Sequence, residues 1–379
     1  MRTTSLLGLV FFPVLVACGG AEGTRESSRV GHGSSAIQGG TSDTKAAHNF
    51  AVGIRSYYGA GVCSGTLIAP NLVLTARHCV VPPDGTEAVT CADKFPIKNV
   101  DPDTLSVTTE PHLLRANKYY AVKELFVPTE RGFCGNDIAL IMLEENIPAA
   151  EAEPATPVVQ FSMTDRSKIG GQIAALGYGI TSPSASDSGI RRIHEGIDIV
   201  CVPGDDSYEC IGGYEQMVDS EKEFVTEGYV CSGDSGSGAF EQKSFTKGAP
   251  YVLGALSRGP QTEDRCLAAI YTRTDAHVDL IVNAGKKAAE AGGYEAPEWV
   301  APKVEPSTAE PVPTTPGCEG ETCTEVDATE PPAPEAEVQT VTKTTTGCSA
   351  TTRSSSGGFG LFAIDGVSAL VASRRRRRI

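Results

Sequence analysis

The chain has 379 residues, 40% of them hydrophobic, which is enough for a real core in one large domain with additional segments. Its 47 acidic and 32 basic side chains give a net charge of −15, which argues against nucleic acid as a partner because phosphate binding needs a basic face. Twelve cysteines indicate an oxidising compartment.

The N-terminus predicts export. Arg2 precedes an apolar run from residue 6 to 17 that is too short for a membrane span, so residues 1–17 are predicted to be a signal peptide. The run ends in "LVAC" at Cys18 and resembles the lipobox of bacterial lipoproteins, which implies cleavage before Cys18 and acylation of its thiol. Ordinary signal cleavage beside an incidental cysteine is the alternative. Residues 18–36 are small and polar, and we interpret them as a lipidated, unstructured pro-segment.

Residues 37–293 alternate short apolar runs with Gly, Pro, Asn and Asp, a pattern typical of β-structure. The stretch "GTLIAPNLVLTA" (65–76) predicts a hairpin around its Pro-Asn pair, and "DIALIMLE" and "QIAALGYG" predict further strands. We therefore expect an all-β region here, ending in one helix.

That helix is predicted over residues 274–292, where the apolar period becomes helical. Asp275 is a candidate N-cap, and Val278, Ile281 and Val282 form one apolar face.

The composition changes after residue 293. Residues 296–345 contain nine prolines and ten acidic but only two basic side chains, so they cannot bury enough apolar surface to offset their ordering entropy. We predict an extended, disordered stalk over residues 294–346. Within it Cys318 and Cys323 are expected to close a small loop, while a zinc site is the weaker alternative because no second ligand pair is near.

The last segment, residues 347–379, contains a Gly-Cys pair, a modest apolar run and a cluster of five arginines at 374–378. It resembles the C-terminal sorting tails of myxobacterial surface proteins, which implies recognition by a sorting protease and attachment at the cell surface. Its apolar run is shorter than the ~20 residues of a membrane-spanning helix and contains Asp365. A disordered basic tail is the alternative.

Ser235, in "YVCSGDSGSGAF", is a candidate nucleophile, provided that a base can take its proton and an acid can orient that base. His78 in "LTARHC" and Asp137 in "GNDIALIML" are candidates for those roles. The order His78, Asp137, Ser235 resembles the trypsin/chymotrypsin-like serine proteases. An α/β-hydrolase would need a glycine where Ser237 stands and would place its histidine last, so we reject that alternative.

The resemblance implies two Greek-key β-barrels over residues 37–293, with the triad in the cleft between them and no metal or organic cofactor. Ser235 would attack the substrate, His78 would act as base and then acid, and Asp137 would orient His78. The amides of Gly233 and Ser235 would form the oxyanion hole, and Ser257 in "ALSRG" would support Asp137.

The resemblance also implies a zymogen. Cleavage before Ile37, in "AIQGG", would create an ammonium that pairs with the buried carboxylate of Asp234. Breaking such a buried pair costs about 3–5 kcal/mol, enough to collapse the oxyanion hole.

Eight cysteines of the same region are expected to form disulfides. Two pairs match those of the family, Cys201–Cys210 follows from proximity in the sequence, and the last pair is left by elimination. The expected pairs are Cys63–Cys79, Cys231–Cys266, Cys201–Cys210 and Cys91–Cys134.

By the same matching, Tyr229 would lie at the base of the specificity pocket, with Gly259 and Ala269 as its walls. Without an aspartate at the base, a buried substrate cation would be unpaired, so cleavage after basic residues is not expected. A shallow apolar slot for small side chains would also accept Ala36, the residue before the activation cut, which predicts possible autoactivation.

The predicted partners are protein or peptide substrates, a signal peptidase and a sorting protease for processing, and the membrane through the lipid or the tail. The predicted location is the outer membrane or cell surface, or the medium. There are two alternative functional classes: an inactive protease fold used as a surface binding module, and a stalked structural protein. The complete set of motifs argues against both.

Overall fold

A computed structural model describes residues 37–56, 61–81, 89–218 and 221–301. The predicted signal peptide, the pro-segment with Cys18, the stalk from residue 302 onwards and the sorting tail all fall outside these ranges. Among the described residues, no helix is both long and apolar enough to cross a bilayer.

The described ranges form short strands, as the punctuated sequence predicts, and two α-helices. The strands are β1 (Thr41–Ser42), β2 (Ala51–Ser56), β3 (Val62–Ala69), β4 (Leu72–Thr75), β5 (Leu105–Thr108), β6 (Tyr120–Phe126), β7 (Ala139–Leu143), β8 (Thr156–Pro157), β9 (Gln172–Gly177), β10 (Arg192–Cys201), β11 (Glu223–Glu227), β12 (Gly238–Glu241), β13 (Tyr251–Arg258) and β14 (Ala268–Arg273). The helices are α1 (Gln242–Thr246) and α2 (Val278–Gly292).

The first barrel closes in the order β2-β3-β4-β7-β6-β5. Its β3–β4 hairpin pairs Thr66 with Leu74 and turns at Pro70 and Asn71, which confirms the hairpin predicted over residues 65–76. All five residues of β7 are buried, in agreement with a strand predicted from a continuous apolar run.

The second barrel closes in the order β9-β10-β11-β14-β13-β12, with β12 pairing back to β9. Relative to chain order, this is the same connectivity as in the first barrel. The prediction of two β-barrels is therefore confirmed.

The disulfides join the same cysteine pairs that the sequence analysis predicted. They are Cys63–Cys79, Cys91–Cys134, Cys201–Cys210 and Cys231–Cys266.

The prediction that Asp275 caps the C-terminal helix is wrong. Helix α2 begins at Val278, and the residue at its N-cap, His277, makes no side-chain cap hydrogen bond. Asp275 instead accepts two hydrogen bonds from the Arg273 guanidinium, at 2.9 and 2.7 Å, and one from the Met163 amide at 2.8 Å. An ion pair that the sequence does not reveal therefore takes the carboxylate away from the helix.

The folded domain also extends beyond residue 293, where the sequence analysis placed the start of the stalk. A short 3-10 turn at Glu298–Val300 places the Trp299 ring, 6% exposed, against α2. A Cβ on Gly285 of α2 would lie 2.5 Å from that ring. Gln160 holds the segment by donating hydrogen bonds to the carbonyls of Trp299 and Ala301, both at 2.7 Å.

Candidate active site

His78 lies in a 3-10 turn directly after β4, next to Cys79, whose disulfide to Cys63 ties the turn to β3. Its amide donates a hydrogen bond to one oxygen of Asp137 at 2.9 Å, and its Nδ1 lies 2.8 Å from the other. Because a carboxylate only accepts, Nδ1 carries the proton and Nε2 is left as the basic nitrogen.

Asp137 is fully buried just before β7 and links the two barrels. The Ser257 hydroxyl on β13 donates to it at 2.6 Å. Burial raises the pKa of Asp137. The charge and hydrogen bonds of His78, together with the hydrogen bond from Ser257, lower this pKa by more than burial raises it, so the carboxyl stays ionised. In turn, burial lowers the pKa of His78, and Asp137 more than offsets this, so the pKa of His78 is raised.

The backbone of Ser235 lies beside the turn that carries His78. The Ser235 carbonyl accepts a hydrogen bond from the Ser64 amide at 2.8 Å and lies 3.6 Å from the sulfur of Cys79. Behind it, Gly236 approaches β4 so closely that a Cβ would lie 2.1 Å from the Thr75 hydroxyl. The missing side chain at Gly236 therefore allows the serine loop to dock on the first barrel.

The amides around Ser235 divide into two groups. Those of Asp234, Gly236 and Ser237 donate hydrogen bonds within the protein, at 3.0, 2.8 and 2.8 Å. Those of Gly233 and Ser235 have no acceptor among the described residues. These two amides are the donors that the oxyanion prediction requires.

Gly233 holds its amide in a conformation that favours glycine, with φ of +93°. On one side the Ser232 carbonyl accepts from the Ile180 amide at 2.9 Å. On the other side the Gly233 carbonyl accepts from the Ser64 hydroxyl at 3.0 Å. These bonds fix both peptides of Gly233, so the direction of its N–H is set before any substrate arrives.

Asp234 is a buried carboxyl without an ion-pair partner among the described side chains. It accepts hydrogen bonds from the amides of Gly179 at 2.8 Å and Cys231 at 2.9 Å. Burial raises the pKa of Asp234 to about 7, although these amides and Arg192 pull it down. Each oxygen of the Asp234 carboxyl accepts one of these hydrogen bonds and can accept a further one from a cation.

Ile37 is fully buried in the core of the second barrel, with a strained φ of +51°. Its neighbour Gln38 donates its amide to the Tyr229 carbonyl at 2.5 Å. The Gln38 side chain accepts from the Cys266 amide at 3.2 Å. The segment after the predicted cut is thus already packed into the domain.

A cavity of about 230 Å³ opens beside Ser235. Its lining includes Gly259, as expected, together with Val230, Pro260 and Gln261. Of its described lining residues, one is charged, an arginine, and none is a carboxylate.

Tyr229 and Ala269 are not among the residues that line this cavity, and their places in a specificity pocket stay a prediction. The Tyr229 backbone has φ of +127°, and its ring stacks on His194 at 4.2 Å between ring centroids. The next residue, Val230, is in the lining of the cavity.

One group of potential metal ligands occurs among the described residues, formed by Cys63, His78 and Cys79. The two sulfurs are bonded to each other, and Nδ1 of His78 is bonded to Asp137. This group therefore offers no thiolate to a metal.

Sequence reasoning missed two charged residues at the site. Arg258, directly after Ser257, forms a bidentate ion pair with Glu223, with nitrogen–oxygen distances of 2.6 and 3.1 Å. A lone arginine in the apolar strand "YVLGALSRG" was a signal for a buried partner, but nothing in the sequence identifies Glu223 as that partner.

Comparison with known proteins agrees with this geometry. Residues 37–281 match the profile of the family described as Trypsin. The chain is 25% identical over 236 residues to phenoloxidase-activating factor 3 of Holotrichia diomphalia, covering 58% of this chain and 62% of that protein. It is 24% identical over 257 residues to the serine protease Hayan of Drosophila melanogaster, covering 62% of this chain and 36% of that protein. The chain thus spans less than two thirds of either relative.

Proposed function

Because this chain belongs to the trypsin family, we propose that its domain is a serine endopeptidase that cleaves peptide bonds through an acyl-enzyme on Ser235. The observation that carries the proposal is the chain of hydrogen bonds that runs from Ser257 through Asp137 to His78. This chain ends beside Ser235 and the two backbone amides that have no acceptor among the described residues. That arrangement activates a hydroxyl and stabilises an oxyanion, which is the machinery of acyl transfer.

In the first half-reaction the Ser235 oxygen attacks the substrate carbonyl carbon, and its proton passes to Nε2 of His78. Asp137 stabilises the imidazolium that forms, because its carboxylate faces Nδ1–H at 2.8 Å. The carbonyl oxygen becomes an oxyanion and accepts from the amides of Gly233 and Ser235. Collapse breaks the carbon–nitrogen bond, and His78 returns the proton to the leaving amine.

In the second half-reaction water attacks the ester carbonyl, and His78 takes one of its protons. The same two amides stabilise the second oxyanion. Collapse releases the acid, and His78 returns the proton to the Ser235 oxygen. The free enzyme is restored without any external cofactor.

A fluorophosphonate probe tests this proposal on folded protein that has been processed to begin at Ile37. Covalent labelling at Ser235, absent in Ser235→Ala, is expected. Processed protein that folds but does not label would favour the alternative, a protease fold used as a binding module.

We further propose that the chain is a zymogen activated by cleavage between Ala36 and Ile37. The buried Asp234 carboxyl, with its pKa raised to about 7, supports this because a new ammonium at Ile37 would supply the cation that it lacks. Cleavage also removes the covalent constraint behind the strained φ of Ile37. N-terminal sequencing of the active protein is the direct measurement, and an active form that retains residue 36 would contradict the proposal.

The enzyme is proposed to cleave after small, uncharged residues. The lining of the cavity supports this, because it contains an arginine and no carboxylate, so a buried Arg or Lys of the substrate would find no partner of opposite charge there. Ala36 fits the same preference, so the enzyme could process its own precursor. Peptides ending in Ala, Val, Phe and Arg test the preference. Normal cleavage at Ala36 in purified Ser235→Ala precursor would exclude autoactivation.

Export is proposed from the sequence of the N-terminus and from the disulfides, which persist in oxidising compartments. Acylation of Cys18 and sorting through residues 347–379 are proposed on their resemblances alone. Intact mass and N-terminal sequencing of the mature protein test both.

A further inference from the structure

Arg258 occupies a central place behind the candidate triad. It follows Ser257 at the end of β13, and its Nη1 donates to the Ser257 oxygen at 3.3 Å. A hydroxyl that accepts on one side points its own proton elsewhere, and here that proton goes to Asp137 at 2.6 Å. Arg258 therefore sets the direction of the Ser257 hydroxyl.

Glu223 balances this cation. It is fully buried at the start of β11, binds both terminal nitrogens of Arg258, and accepts the amide of Gly135 at 2.9 Å. Gly135 lies two residues before Asp137, and its carbonyl bonds to the His277 ring at 2.7 Å. One carboxylate thus neutralises the arginine and anchors the loop that carries Asp137.

The Arg258 guanidinium is also linked to His78 through an aromatic ring, that of Phe133. Its central carbon lies 5.7 Å from the Phe133 ring, which stacks on the His78 ring at 6.4 Å between centroids. Phe133 is buried, and the neighbouring Cys134 is tied to Cys91 by a disulfide. A change in charge at Arg258 therefore acts on His78 across the buried Phe133 ring.

We propose that the ion pair of Arg258 and Glu223 is a positioning element of the triad. Arg258 orients Ser257 toward Asp137, and Glu223 cancels the positive charge so that the imidazolium of His78 is not disfavoured. This inference rests on the proposed function. It goes beyond it by assigning roles to two residues that do not touch the substrate's reacting atoms.

The charge balance has a direct consequence for protonation of His78. An unpaired Arg258 would oppose the second positive charge that His78 acquires, and an unpaired Glu223 would favour it. Other charged or titratable groups on the elements packed around this site stay in place in every variant below. They are Arg77, Glu130, Arg131, Asp137, Lys222 and His277.

The test follows the His78 imidazole by NMR titration in the Ser235→Ala background, so that it does not depend on activity. Glu223→Gln is expected to move the His78 titration to lower pH by about half a unit or more, and Arg258→Met to move it to higher pH. The double variant restores charge balance and is expected to titrate close to the parent. Titrations of both single variants that coincide with the parent would overturn the proposal.

Processed enzymes with Ser235 intact provide the second measurement. Arg258→Lys keeps the charge but loses the planar fork, so its acid limb of kcat/KM is expected to stay in place while the plateau falls about threefold to tenfold. A wild-type plateau in Arg258→Lys would contradict the proposal, and this variant also decides the matter if the two charge-changing variants fail to fold. Wild-type protein that does not hydrolyse peptides would defeat the proposed function and leave the NMR comparison standing.

A matched control is the second buried arginine pair, Arg191 with Asp43, at 2.9 Å. Arg191 also bonds to Lys45, Asn49, Ala51 and Thr109, none of which belongs to the triad. Asp43→Asn unpairs a buried arginine in the same way, and it is expected to lower stability without moving the His78 titration.

Discussion

Gly233 combines three properties that a side chain would disturb together. Its φ is +93°, a Cβ would lie 2.8 Å from the Gly179 Cα, and its amide has no acceptor among the described residues. A glycine-specific backbone conformation, close packing and the proposed oxyanion donor therefore meet at a single position. Substitution there is a probe of the oxyanion hole.

Gly233→Ala is expected to lower kcat by about 10²–10³-fold, the usual effect of losing one oxyanion donor, with a smaller change in KM. Peptide kinetics on active-site-titrated enzyme measure this. Gly248→Ala is the control, because Gly248 has φ of +76° with nothing within 4 Å of its Cβ position. It carries a similar backbone cost of about 1 kcal/mol in stability and should leave kcat unchanged. Equal activities of the two variants would remove the role assigned to Gly233.

Asp234 makes a second residue-scale prediction, concerning pH. In the uncut chain its pKa is raised to about 7, above the ordinary value of 3.8, so the folded state binds more protons than the unfolded state between these limits. The contribution of Asp234 to stability is therefore present at low pH and is lost as the pH rises to about 7, by up to about 4 kcal/mol. After cleavage an ammonium at Ile37 would lower this pKa, so the loss of stability with rising pH would shrink, and it would reverse in sign once the pKa lies below the ordinary value of 3.8.

Urea unfolding between pH 4 and 7 measures this in two Ser235→Ala proteins, the precursor and a form beginning at Ile37. Asp234→Asn in the precursor is the control and should abolish the contribution. The same slope in the cut and uncut proteins would argue against the ion pair.

Among the elements, α2 and the turn after it form one packing unit. Gly285 leaves space for the Trp299 ring, and Tyr294 donates its hydroxyl to Asn71 of the first barrel at 2.7 Å. A chain ending at Gly293 loses both contacts, although its helix is complete.

Truncation after Gly293 is expected to cost about 3–5 kcal/mol of unfolding free energy, the usual cost of removing a buried tryptophan. Truncation after Ala301 is the matched control and should unfold like the full-length chain. Urea denaturation in the Ser235→Ala background gives both values. Coincident midpoints for the two truncations would mean that Trp299 contributes little.

The success of the sequence analysis at this scale has a physical basis. Strands, the hairpin at residues 65–76 and the disulfides follow from local patterns or motifs with fixed spacing. The Asp275 cap was wrong because Arg273 competes for the carboxylate, and such competition depends on folded geometry. The stacking of the Tyr229 ring on His194 was not predicted, because the two residues are far apart in the sequence. A local sequence pattern does not specify which of several partners a side chain contacts in the folded chain.

At the scale of the whole molecule, the proposed activation and the proposed anchors are linked. Cleavage before Ile37 separates the catalytic domain from Cys18 and from any lipid on it. An active enzyme at the surface would then depend on the C-terminal tail.

Cells expressing the chain truncated after Ala301 are expected to release fluorophosphonate-reactive enzyme, while the full-length chain keeps it on the cell. Fractionation followed by labelling measures this, with Ser235→Ala as the blank. Reactive truncated enzyme that sediments with membranes would contradict the dependence on the tail.

The division of the reacting groups between two barrels also has a consequence in time. His78 and Asp137 belong to the first barrel, while Ser235 and Ser257 belong to the second. A ribosome adds about 5–20 residues per second, so on the order of ten seconds passes between synthesis of the base and synthesis of the nucleophile. During that interval the growing chain cannot cleave peptides, because the first barrel alone does not contain the complete set of proposed reacting groups. Under the proposed function, the order of synthesis therefore protects the producing cell from proteolysis before the proposed pro-segment has any effect.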